Sequence, residues 1–122
     1  MMTLAVRCLL STVLLLAIAC KKEEHPITTG GNPDRGRQLI EQGGCTACHI
    51  VPGVQGPRGM IGPPLEHFAS RPVIGGKIPN TPDNVMSFLQ NPQAADPMFT
   101  MPNLGITPAD SKDIAAFLYT LK

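Results

Sequence analysis

The stretch Cys45-Thr46-Ala47-Cys48-His49 constrains this chain more than any other. Two cysteines three apart with a histidine directly after the second form the signature of covalent haem attachment. Each thiol can add to one vinyl group of a haem. The imidazole beside the second thioether then lies under the ring, where it can bind iron. A chain that carries such a large, flat, apolar body must wrap around it. Composition makes the same demand: the 122 residues include no Trp, one Tyr and four Phe. A domain of this size has a marginal core of its own, which a buried haem would complete.

Other uses of a Cys-x-x-Cys pair fit less well. A thioredoxin-like redox motif sits near a βαβ pattern, and none is visible. A zinc site needs a second pair of Cys or His ligands at similar spacing. The other cysteines are Cys8 and Cys20 near the N-terminus, and His25 and His67 are isolated.

The N-terminus sets the compartment. Arg7 precedes an apolar run from Cys8 to Ala19, and charge begins abruptly at Lys21-Lys22-Glu23-Glu24. The run is too short for a comfortable membrane span but suits a signal-peptide core. Small Ala19 directly before Cys20 resembles a bacterial lipobox, in which the cysteine is acylated and becomes the mature N-terminus. The expected organisation is a lipoprotein-type signal over 1–19, a polar tether over 20–31 and a single domain over 32–122. A flexible tether of that length reaches roughly 20 Å. Export to the periplasmic or extracytoplasmic face, with lipid at Cys20 holding the domain at a membrane surface, agrees with attachment of c-type haem outside the cytoplasmic membrane.

Charge excludes one class of partner. In 32–122, seven Lys and Arg balance seven Asp and Glu, and nothing suggests nucleic acid, which would need a basic face.

Three helices are legible. Asn32-Pro33-Asp34 is an N-cap, a proline at the first helical position and an acid in the first turn; this helix should run to about Gln42 and stop at Gly43-Gly44. Leu39 and Ile40 form its apolar side. Thr81-Pro82-Asp83 repeats the start signal, with Val85, Met86, Phe88 and Leu89 following at helical spacing until Asn91-Pro92. Thr107-Pro108-Ala109-Asp110 opens a terminal helix whose Ile114, Phe117, Leu118 and Leu121 form a stripe, and the first helix is its natural partner. No strand-length alternation competes. Between the first two helices, residues 50–82 contain 13 Gly or Pro among 33. Ile61, Leu65, Phe68, Val73, Ile74 and Ile78 are interleaved through that segment, as expected of a loop whose aliphatics face a porphyrin.

A second iron ligand should be a soft donor downstream: Met60, Met86, Met98 or Met101. Met60 lies soon after His49 and would struggle to reach the opposite ring face, and Met86 belongs to a helical stripe. Met98 and Met101 share an irregular stretch, and Pro102 stiffens the chain after Met101. The residues favour Met101 and leave Met98 open.

Over nearly all of 32–122 the chain resembles a class I c-type cytochrome of the small bacterial monohaem kind. Cys-x-x-Cys-His, then Gly62-Pro63-Pro64-Leu65, then Met101-Pro102 before a terminal helix occur in that family's order. The resemblance implies an all-α cytochrome c fold of about three to four helices, with long Gly/Pro-rich loops around one covalent haem c. It implies that Pro63 offers its carbonyl to His49, that Leu65 lines the cofactor and that Arg71 lies near a propionate. Phe88-Leu89-Gln90-Asn91-Pro92 resembles the helix end that precedes the axial methionine by nine residues, which gives Met101. Phe88 stands where mitochondrial relatives often have Tyr.

The expected function is one-electron transport by a His49/Met101-ligated haem, without transformation of a substrate. A quinol-oxidising complex as donor and a terminal oxidase or reductase as acceptor follow from the resemblance. Two alternatives belong to other classes. One is a gas-binding or peroxidase-like haem protein with an open sixth iron position. The other is a lipoprotein that handles thiols or metal through Cys45 and Cys48.

Overall fold

The computed structural model describes residues 27–122. The expected signal over 1–19, Cys20 and most of the tether lie outside the described residues.

Each helix begins where the cap signals place it. The Asn32 side chain accepts the amides of Asp34 and Arg35 at 2.9 and 3.1 Å, opening α1, Pro33–Gln42. Thr81 caps α2, Pro82–Gln90, through the amide of Asn84 at 3.3 Å. Thr107 caps α4, Pro108–Leu118, through the amide of Asp110 at 3.1 Å. Proline follows each cap, where its missing N–H costs nothing. One helix was not expected. Asn91 ends α2 and also caps a single further turn, α3, Pro92–Ala95.

The loop between α1 and α2 contains two tight turns, Cys45–Ala47 and Phe68–Ser70. It also contains a small ribbon, an addition to the expected all-helical fold. Strands β1, Val73–Ile74, and β2, Ile78–Pro79, pair antiparallel with Ile74 opposite Ile78. Two-residue strands are too short to leave an alternating pattern.

Helices α1 and α4 cross closely. A Cβ at Gly36 would stand 3.0 Å from the backbone nitrogen of Ile114, so no larger residue fits this crossing. Above it Asp113 accepts the Asn32 amide at 2.7 Å and an N–H of Arg35. The same guanidinium donates to Asp110 at 2.6 Å. The Asn32 amide, then Arg35, holds the Asp113 carboxyl below its usual range, and the Thr107 hydroxyl, then Arg35, does so for Asp110.

Ile40, Val85, Leu89, Ile114, Phe117, Leu118 and Tyr119 form the core between α1, α2 and α4. Burial of each such aliphatic or Phe side chain contributes about 1.5–3 kcal/mol. Phe68 and Ile74, expected to face a porphyrin, belong to this protein core instead. Phe68 meets Tyr119 edge to face, with ring centroids 5.7 Å apart. Tyr119 donates its hydroxyl to Asn80 at 2.8 Å, and Asn80 donates to the carbonyls of Phe68 and Arg71 at 2.9 and 3.0 Å. Burial pushes the Tyr119 hydroxyl up to about 12. Leu65, Met86, Phe88 and Met101 are half-buried against the core and keep one flank outward.

Thr29 donates to the Lys112 carbonyl at 3.0 Å, so contacts with the domain begin before residue 32. An 800 Å³ concavity lies between residues 27–31 and α4, bordered also by Tyr119, Thr120 and Lys122.

Candidate functional site

Cys45 and Cys48 sit in a tight turn after α1. The Cys48 and His49 amides both donate to the Cys45 carbonyl, at 3.2 and 2.9 Å. With three residues per turn, side chains three apart fall on one side, so the two cysteines share a face. Both are free thiols and half-buried. Burial pushes the Cys45 thiol up, which disfavours the thiolate that thiol exchange needs. Among the described residues no group of three or more His, Cys, Asp and Glu could hold a metal ion.

The following loop folds back over this turn. Backbone bonds run from Gly59 N to Thr46 O at 3.0 Å, from Gly62 N to Cys48 O at 2.8 Å and from Leu65 N to Ile50 O at 2.8 Å. Glycines make the approach possible. A Cβ at Gly59 would stand 2.7 Å from the Cys48 Cα, and one at Gly62 would stand 2.6 and 2.7 Å from Nδ1 and Nε2 of His49. With Gly56, which faces the Thr46 hydroxyl, these form a Gly-x-x-Gly-x-x-Gly series along the turn. The series is visible in the sequence, but its meaning needs the fold.

His49 Nδ1 lies 2.7 Å from the Pro63 carbonyl. A carbonyl can only accept, so Nδ1 carries the proton and Nε2 keeps its lone pair for a metal. Pro63 thus fixes the tautomer and ring orientation, the contact the resemblance implies. Arg71 stands behind the same loop. Its guanidinium donates to the Pro64 carbonyl and to the Glu66 carbonyl at 2.7 Å, with its carbon 6.0 Å from the Phe68 ring centroid.

A second group surrounds Met101. Phe88 on α2 meets Phe99 edge to face, centroids 5.2 Å apart. Lys77 pairs with Asp96 and lies 5.7 Å from the Phe99 ring centroid. Hydrogen bonding from Lys77, then from the Met98 amide, holds the Asp96 carboxyl below its usual range. Gln93 on α3 donates through Nε2 to the carbonyls of Phe99 and Met101, at 3.0 and 2.6 Å. Met101 is half-buried against the core, whereas Met98 is 83 % exposed. Met86 is half-buried on α2, as its helical stripe implies, and Met60 is 84 % exposed. Among the described residues no backbone-to-backbone hydrogen bond passes directly between the His49 group and the Met101 group. Gln93 carries no motif, and nothing in the sequence marks it.

These residues fit a covalently attached haem. Two thiols share one face, an imidazole offers an oriented lone pair, and a glycine lies against that ring where a side chain would clash. The half-buried Leu65, Phe88 and Met101 add apolar surface.

The comparisons agree with the geometry. The cytochrome c family model matches residues 33–122. Over 100 residues the chain is 31% identical to cytochrome c oxidase subunit 2 of Alkalihalophilus pseudofirmus; the match takes in 81% of this chain and 28% of that protein. The chain belongs to the cytochrome c family. Membership implies covalently bound haem c and electron transport.

Proposed function

We propose that this cytochrome c is an exported, lipid-anchored one-electron carrier of a respiratory chain, with one haem c held by Cys45, Cys48, His49 and Met101. The observation that carries the reading is the His49 ring, with Nδ1 bound to the Pro63 carbonyl at 2.7 Å and Nε2 free to ligate. When bound, haem c supplies the Fe(II)/Fe(III) couple. The chain's residues do the rest. Cys45 and Cys48 hold the group through thioethers. His49 supplies an imidazole whose ring orientation and tautomer its carbonyl partner fixes. Met101 supplies a soft thioether, which favours the ferrous state and raises the potential.

The oxidase-subunit relative supports a terminal oxidase as acceptor, and a quinol-oxidising complex remains the proposed donor. Because charge is balanced, docking relies on apolar surface. Among the described residues no helix is long and apolar enough to cross a membrane; the proposed membrane attachment is acylation of Cys20. One chain binds marginally and two or more bind stably; Cys20→Ser should release the protein from the membrane fraction or block processing.

Potentiometry and visible spectroscopy of the holoprotein test the ligand set. Met101→Ala should abolish the far-red band of methionine-bound ferric haem and admit small ligands, while Met98→Ala should leave both unchanged. The opposite pattern would move the ligand to Met98.

A further inference from the structure

We infer that Gln93 is a positioning residue for the methionine ligand, acting through the strap whose backbone it clamps. The inference rests on the reading of Met101 as that ligand.

The strap makes few bonds of its own. The Met98 amide donates to the Asp96 carboxylate at 2.8 Å, and the Phe99 amide donates to the Asp96 carbonyl at 3.1 Å. Beyond them, among the described residues, segment 100–104 makes no backbone-to-backbone hydrogen bond. Pro102 has no N–H to contribute. The segment's hydrogen-bonded tie to the rest of the fold is the Gln93 amide at the Met101 carbonyl, 2.6 Å away, shared with the Phe99 carbonyl at 3.0 Å.

A carboxamide nitrogen has two protons, and here two carbonyls use them. The carbonyls belong to residues two apart, so one rigid group sets the course of the backbone on both sides of Thr100. Gln93 is itself held in place. Its helix α3 starts at Pro92, which is buried, and Asn91 caps the turn by accepting the Ala94 amide at 3.3 Å. The clamp therefore transmits the position of α3 to the residue bearing the thioether.

Loss of the clamp should let the methionine yield to a competing ligand more readily. Gln93→Leu removes the donors, with a side chain one heavy atom shorter. Gln93→Glu keeps the shape but, when ionised, only accepts. The ferric holoprotein of either variant should bind added imidazole roughly tenfold more tightly, the order expected for two lost hydrogen bonds, and its methionine band should weaken. Tyr119→Phe is the control: it loses the hydroxyl bond to Asn80, away from the strap, and should lower the urea midpoint without changing imidazole affinity. A merely structural role for Gln93 would behave like that control. If Gln93→Leu yields no folded holoprotein, Gln93→Glu reads the same affinity. Wild-type imidazole affinity in the Gln93 variants, with the band lost in Met101→Ala, would overturn the clamp. If Met101→Ala itself keeps the band, the ligand assignment falls instead, at a different variant.

Discussion

The two sides of the site are built by different means. Around His49 the chain braces itself with backbone bonds from residues 59, 62 and 65, and glycines bring the loop into contact with the turn. Around Met101 the backbone is held by side chains: Gln93 on two carbonyls, Lys77 on Asp96, and Phe88 and Lys77 about the Phe99 ring. Backbone bracing has no rotamers to lose and little to titrate. Side-chain latches can let go one at a time. The histidine side should therefore behave as a fixed base and the methionine side as a replaceable lid.

The largest expected effect breaks the fixed base. His49→Ala removes the imidazole proposed to bind iron and its contact to Pro63, and should nearly abolish the yield of covalent holoprotein on a haem-stained denaturing gel. Cys45→Ser or Cys48→Ser should leave one thioether and an intermediate yield. Free extraction of haem from the wild type into acid acetone would remove the basis of the comparison.

Next comes the ligand on the softer side. Met101→His should keep a six-coordinate, low-spin haem and lower the potential by a sizeable fraction of the roughly 0.8 V that axial ligands span. Potentiometry reads this directly. An unchanged potential would mean that the strap does not supply the ligand.

Gly62→Ala sharpens the contrast in stability. Its Cβ would press on the His49 ring, and the overpacking should cost about 1–3 kcal/mol in denaturant unfolding. Met98→Ala, at an exposed position of the strap, should cost less than about 0.5 kcal/mol. Equal costs at the two positions would contradict the division into braced and latched halves.

Acid offers the mildest test. Asp96 is held below its usual range by Lys77, so its latch is intact at neutral pH. It is lost as pH falls below about 4, through the depressed folded value. Asp110 and Asp113, also held low, lose their support of the α1–α4 crossing in the same window. The methionine band of the ferric protein should weaken on acidification through that window in the wild type and weaken less in Asp96→Asn. The backbone bonds over His49 involve no such carboxylate.

Legibility in the sequence followed the same division. Cys45, Cys48 and His49 were readable because thioether and imidazole chemistry dictates residue types and spacing. Asn32, Thr81 and Thr107 were readable because a cap acts within three residues. The α3 turn was missed because Asn91-Pro92 reads as a stop, whereas the same asparagine also starts a helix. Phe68 and Ile74 were assigned to the cofactor from apolarity alone; apolarity does not say which apolar neighbour a residue will meet, and Tyr119 lies 51 positions beyond Phe68. The residues alone favoured Met101 without closing out Met98, and the choice between them stays a proposal, since a strap held by distant side chains leaves no local pattern. Gln93 left none at all.

The concavity between residues 27–31 and α4 has both Ile27 and Lys122 on its border. Entry and exit of the described chain therefore share one side of the fold. Such a domain behaves as a cassette: it can be spliced to a neighbour by either end, or inserted into a host loop, without stretching its own backbone. A circular permutant that joins the two ends through a short linker and opens elsewhere should keep the same helical packing.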